Sequence, residues 1–166
     1  MNPKELIDRV GRSQMRRRLG SERGNTFVEF ALAAGVLFAM FAATFQYGYT
    51  FYMYDRLQSC VRSASRYAST KPFRSQSQSC IDNTITTIKN VAVYGSPTGG
   101  STPRVRGLAL SNISVVYTRD VSGIPQKVTV QVQNFTVNAI FNSFRLNNKP
   151  FAEVPFVGRY APNECP

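Results

Sequence analysis

Three patterns of apolar and polar positions follow one another along the chain. Residues 27–45 read FVEFALAAGVLFAMFAATF, apolar or small throughout with Glu29 as the single charge. About 20 apolar residues are what a helix needs to cross a bilayer core, so this run predicts a transmembrane helix. Beyond it the pattern becomes periodic. Leu57, Val61, Ala64 and Ala68 recur at helical spacing and leave Arg56, Arg62 and Arg66 on a different face. The helix therefore continues past the apolar run and should stop near Thr70, where Lys71-Pro72 breaks it. At about 1.5 Å per residue, residues 27–69 make a helix of roughly 60 Å, a stalk about twice as long as the bilayer core is thick.

A second helix is expected over residues 79–94, striped by Ile81, Ile85, Ile88 and Ala92 and opened by Ser79 and Asp82 as a capping-box variant. The stretch SPTGGSTP at 96–103 is a loop by composition; no Gly-Lys-Ser/Thr follows it, so it is not a phosphate cradle. Period-two alternation then takes over. Residues 111–119 alternate through Ile113, Val115 and Tyr117, a turn follows at 120–125, and residues 127–135 alternate through Val128, Val130 and Val132. That is the signature of a hairpin. Residues 151–160 add a third strand, with Pro155 marking an edge or a bulge. The expected fold class is α+β: a long N-terminal transmembrane and stalk helix, then a second helix packed on a small antiparallel sheet of three or four strands. The expected organisation is a basic leader at 1–24, the helix at 25–70 and a small domain at 71–166.

Charge and composition sharpen this picture. The chain has 166 residues, a formal net charge of +11 and no histidine or tryptophan. Without histidine the usual general base and metal ligand are missing, and Asp55, Asp82, Asp120, Glu153 and Glu164 form no recognisable pair, so an enzyme is not expected. Residues 1–24 carry seven Lys/Arg, among them Arg16, Arg17, Arg18 and Arg23, against three acids. Tyr47, Tyr49, Phe51, Tyr52 and Tyr54 follow the apolar run. A basic flank before the span and an aromatic belt after it place the N-terminus in the cytoplasm and the C-terminal part outside. The basic cluster is thus a topology signal, and no nucleic-acid partner is expected. A cleaved secretory signal fits less well, because its apolar core is shorter and ends at a small-x-small site, whereas Ala31-Leu32-Ala33 comes too early.

Glu29 stands out, because a charge deep in a bilayer costs on the order of 3 kcal/mol and is usually kept for a function. Being only three residues into the run, it also has the headgroups within reach. The three cysteines, Cys60, Cys80 and Cys165, include no CxxC pair, so neither a metal site nor a cofactor is expected. Three pairings are open to them. Cys80 with Cys165 is favoured, since an extended first helix carries Cys60 away from the loop leading to Cys80, and a bridge would tie down the terminus.

Residues 22–30, ERGNTFVEF, resemble the processing site of type IV prepilins, in which a short basic leader ends in glycine and the fifth mature residue is glutamate. The resemblance makes Gly24 the last leader residue, Asn25 the new N-terminus and Glu29 the fifth. Residues 46–69, QYGYTFYMYDRLQSCVRSASRYAS, are similar to the TadE/TadF minor pseudopilins of the tight-adherence (Tad, Flp-type) pilus, with Ala64-Ser65-Arg66-Tyr67-Ala68 as the A-x-R-Y-A-like end. The likeness covers about residues 23–69 and departs at Gln46, where many relatives carry an acid. It implies a substrate of a prepilin peptidase, itself an aspartic membrane enzyme, in the bacterial inner membrane. It also implies pilin-like partners met through the N-terminal helix, with Glu29 pairing with a neighbour's terminal amine to set axial register, and a role in pilus assembly and adhesion. The competing expectation is an uncleaved type II membrane-anchored adhesin or scaffold.

Overall fold

The computed structural model describes residues 3–73, 78–139 and 142–161, with side chains described from Gly24 onward. Helix α1 (Pro3–Thr70) opens the chain. The molecule divides into two units, one ending at Phe45 and the other beginning at Gln46.

In the first unit the helix starts at Pro3, well before the apolar run. Lys, Arg, Glu, Leu and Gln dominate the leader and are good helix formers, and proline is tolerated in a first turn. From Gly24 to Phe45 all side chains except the half-buried Ala34 and Ala42 are exposed, including Phe27, Phe30, Leu37, Phe38 and Phe41. A helix apolar all round has no face suited to water, and this one is long and apolar enough to cross a membrane. Thr44 Oγ1 donates to Met40 O at 2.9 Å, so its hydroxyl needs no water partner.

In the second unit, residues 46–70 of α1 supply one wall of the core. Leu57, Val61, Ala64 and Ala68 are fully buried, whereas Arg56, Arg62 and Arg66 are exposed, as the periodicity predicts. Helix α2 (Gln78–Tyr94) buries Cys80, Ile88, Val91, Ala92 and Val93, with Ile81 and Ile85 half-buried. It begins one residue before the expected cap, so Ser79 stands inside the first turn. There Gln78 Nε2 donates to Asp82 Oδ1 at 2.9 Å. The helix ends at Gly95, whose φ of +79° suits a residue without a Cβ and whose N–H reaches Val91 O at 3.0 Å. Residues 96–103 are the expected loop.

Strands β1 (Ile113–Arg119), β2 (Pro125–Val132) and β5 (Phe151–Pro155) form an antiparallel sheet in the order β1-β2-β5, while β3 (Phe135–Asn138) pairs with β4 (Ser143–Leu146). In the register Ile113 faces Val132, Val115 faces Val130 and Tyr117 faces Val128. Val128, Val130 and Val132 are fully buried, so the alternation puts one sheet face on the core formed with α1 and α2. The expected turn is built on Asp120, whose Oδ1 accepts from the N–H groups of Ser122 and Ile124, both at 2.9 Å.

Two strand expectations need correction. The second strand ends at Val132 instead of running to Phe135, because Asn134 adopts a φ of +52° and turns the chain, so that Phe135 opens the unforeseen β3–β4 pair. The third strand ends at Pro155, not Tyr160. Residues 157–161 run beside the exit of α1 instead, with Val157 N–H donating to Ser69 O (3.0 Å), Phe73 N–H to Arg159 O (2.9 Å) and Ala161 N–H to Phe73 O (3.0 Å). Phe73 packs on Tyr117 with ring centroids 4.7 Å apart, and the Arg119 guanidinium lies 4.9 Å from the Phe73 ring centre.

Candidate processing and assembly segment

Gly24, Asn25 and Glu29 lie on one unbroken stretch of α1. Among the described residues nothing approaches the position where a Cβ on Gly24 would be, so no described side chain screens the backbone on that side. Asn25 and Glu29 are four residues apart and so share a helix face; Asn25 Nδ2 donates to Glu29 Oε1 at 3.1 Å, and both side chains are exposed. Within this unit the carboxylate has its local donor on the residue expected to become the new N-terminus. Arg16, Arg17, Arg18 and Arg23 lie on the same helix, but their side chains are outside the described ones.

Gln46, where the resemblance breaks, is buried, and its Nε2 donates to Asn142 O at 3.4 Å. A carboxylate cannot make that donation. The aromatic positions Tyr47, Tyr49, Phe51, Tyr52 and Tyr54 all remain exposed on α1. Of the cysteines, Cys60 is a free thiol buried in the core and Cys80 is buried in the first turn of α2. Cys165 lies outside the described residues. Among the described residues no group of three His, Cys, Asp or Glu is arranged to hold a metal ion.

One feature of the second unit was not foreseen. A groove of about 610 Å³ opens between Tyr49 and Met53 of α1, the Arg106-Gly107 turn, Asn112, and the strand from Asn134 to Asn138. Its walls come from four separate stretches of sequence, so no local pattern announces it. The one visible signal is the recurrence of asparagine at Asn112, Asn134 and Asn138, of which only Asn138 lies in a strand.

A helix long and apolar enough to cross a membrane, followed by a small α+β unit, is the plan of a single-pass membrane-anchored protein. Residues 24–66 match the family model of the TadE-like proteins, a family of pilus structure and assembly. Over those residues, about a quarter of its length, the chain carries a TadE-like domain. No curated protein and no solved structure matches the chain.

Proposed function

We propose that this protein is a minor pseudopilin of a Tad-type pilus, cut by a prepilin peptidase between Gly24 and Asn25 and contributing to pilus assembly and surface adhesion. The observation that supports the reading is one of boundaries: the TadE-like match begins at residue 24, the last leader residue that the prepilin resemblance implies. In this reading residues 1–24 are a cytoplasmic leader in the bacterial inner membrane, residues 25–70 the span and its extension, and residues 71–166 an exported domain. The peptidase removes a net charge of +4 and leaves an α-amine one helical turn from Glu29. That carboxylate then meets the amine of a neighbouring subunit within an apolar helix bundle. An unpaired buried charge costs several kcal/mol, so wrongly registered subunits are rejected. Because Cys60 is free and buried, the bridge that ties down the terminus falls to Cys80 and Cys165.

Cleavage needs the chain extended in a protease cleft, whereas α1 runs helically through Gly24. Glycine in a helix interior is about 1 kcal/mol less favourable than alanine, which eases local unwinding at this bond. The same helical continuity is what an uncut type II anchor would use, and it keeps that second reading in play.

N-terminal sequencing of membrane-extracted protein from cells with and without the peptidase separates the two. A start at Asn25 that disappears without the enzyme supports the proposal, and Glu29→Ala should then be cleaved normally while losing assembly into pili. A start at Met1 in both strains would overturn the pseudopilin reading and leave the anchored adhesin or scaffold.

A further inference from the structure

We infer that the open edge of β3 is a docking site for an extended polypeptide segment that carries a carboxylate side chain. The argument begins with the hydrogen-bond pattern of the β3–β4 pair. Ala139 N–H donates to Asn142 O at 3.1 Å, which makes these two residues a hydrogen-bonded pair. Bonded and non-bonded pairs alternate along an antiparallel ladder. With Asn138 opposite Ser143 and Thr136 opposite Arg145, the backbone N–H and C=O groups of Thr136 and Asn138 therefore point away from β4. They point to the side on which β3 has no neighbouring strand, and among the described residues no hydrogen bond occupies them.

This edge lines the groove, and the groove is shaped for a strand. One end is closed by Asn112, whose Nδ2 donates to Gln133 O at 3.2 Å and Asn134 O at 3.0 Å, occupying the acceptors next in line. The far wall is Tyr49 and Met53, one turn apart on α1. The four residues of β3 span about 13 Å, the length of four residues of an added strand. Main-chain bonds to Thr136 and Asn138 would supply affinity, and the apolar wall would take every second side chain.

The charge of the occupant follows from Arg106. It lines the groove, is exposed, and makes no ion pair or side-chain hydrogen bond among the described residues. Among the described residues the lining contains no acid. A guanidinium with no described carboxylate beside it, on a chain of net charge +11, favours an occupant that brings one. The edge of β5 is managed differently. Beside β5, Gln58 Nε2 of α1 donates to Phe151 O at 3.3 Å, and Pro155 closes that strand's end.

The test uses the full-length chain in detergent micelles and a pool of random seven-residue peptides, acetylated and amidated so that only side chains carry charge. Enriched peptides should alternate apolar residues and contain Asp or Glu. A synthetic peptide of the enriched sequence should slow hydrogen exchange at Thr136 and Asn138. It should bind at least tenfold more weakly to Arg106→Gln, and likewise when alternate peptide amides are N-methylated. Thr136→Pro removes one outward N–H without touching the β4 ladder and should also weaken binding. The absence of any enriched peptide, or enriched binding that survives both Arg106→Gln and Thr136→Pro, would overturn the assignment.

Discussion

Tyr117 shows how one side chain ties the domain's stability to pH. Its ring sits against Phe73 and Phe156 beneath the exit of α1, and burial pushes its phenol up to about 12 from an ordinary value of 10. The folded state therefore holds this proton more tightly than the unfolded state. Its contribution is complete below pH 10 and is lost as pH rises from 10 to 12, because the unfolded chain ionises first. Two pKa units correspond to about 2.7 kcal/mol, and with the ring's partial exposure the loss should be nearer 2 kcal/mol. Unfolding free energies measured at pH 8 and pH 11, halfway through that window, should fall by about 1 kcal/mol in the parent and by clearly less in Tyr117→Phe. An equal fall in both would show that the drop belongs to other groups. Glu153 works at the opposite end of the scale. The hydrogen bond and charge of Lys127, 2.9 Å away across β2 and β5, hold its carboxyl below the usual range, but the pair is exposed and adds little to stability.

Among the elements, the segment at 157–161 does the most with the fewest residues. It satisfies Ser69 O at the end of α1, where helical carbonyls otherwise lack partners, and it lies so close that a Cβ on Gly158 would come within 2.5 Å of Lys71 O and 2.8 Å of the Phe156 ring. Gly158→Ala should accordingly cost about 1–3 kcal/mol, read as a lower denaturation midpoint, whereas alanine at Gly123 would meet no neighbour and suffer only from its positive φ. A midpoint unchanged in Gly158→Ala would mean that the segment does not hold the helix end.

How legible such elements were in the sequence depended on their length and on what covered them. The stalk stripe of Leu57, Val61, Ala64 and Ala68, the break at Pro72 and the turn on Asp120 were all readable, because each rests on a local rule of spacing or backbone chemistry. The β3–β4 pair was not. Its four-residue strands offer only Phe135 and Val137 as buried alternate positions, too few to register as a pattern. The consecutive burial of Val91, Ala92 and Val93 was equally hidden, since no helical period predicts that an end will be enclosed on all sides by other segments. Glu29 was legible as the single charge in an apolar run, whereas Gly24 and Asn25 were recognisable only through a resemblance, as nothing in their packing distinguishes them from the exposed residues around them.

For the whole molecule, the three cysteines give a direct count of its state. Cys60 lies in the core and Cys80 is buried, and the proposed bridge consumes Cys80 and Cys165. The native protein should then show no thiol reactive within minutes, one per chain in denaturant without reductant, and three after reduction. Three reactive thiols in unreduced denaturant would sink the bridge. The rate at which Cys60 is modified in the native protein should follow global opening, so Gly158→Ala should raise it.

The pairing of residues 69–73 with residues 157–161 carries a further meaning for biosynthesis. A ribosome adds about 5–20 residues per second, so about 90 residues, and on the order of 5–20 s, separate the emergence of the two partners. Until residue 132 is made the apolar stripe of α1 lacks its sheet, and until residue 161 it lacks its clamp. The domain therefore cannot finish folding ahead of its own C-terminus. A nascent chain arrested before residue 157 lacks that clamp, and it is the species on which a holding factor for the half-built core would be caught.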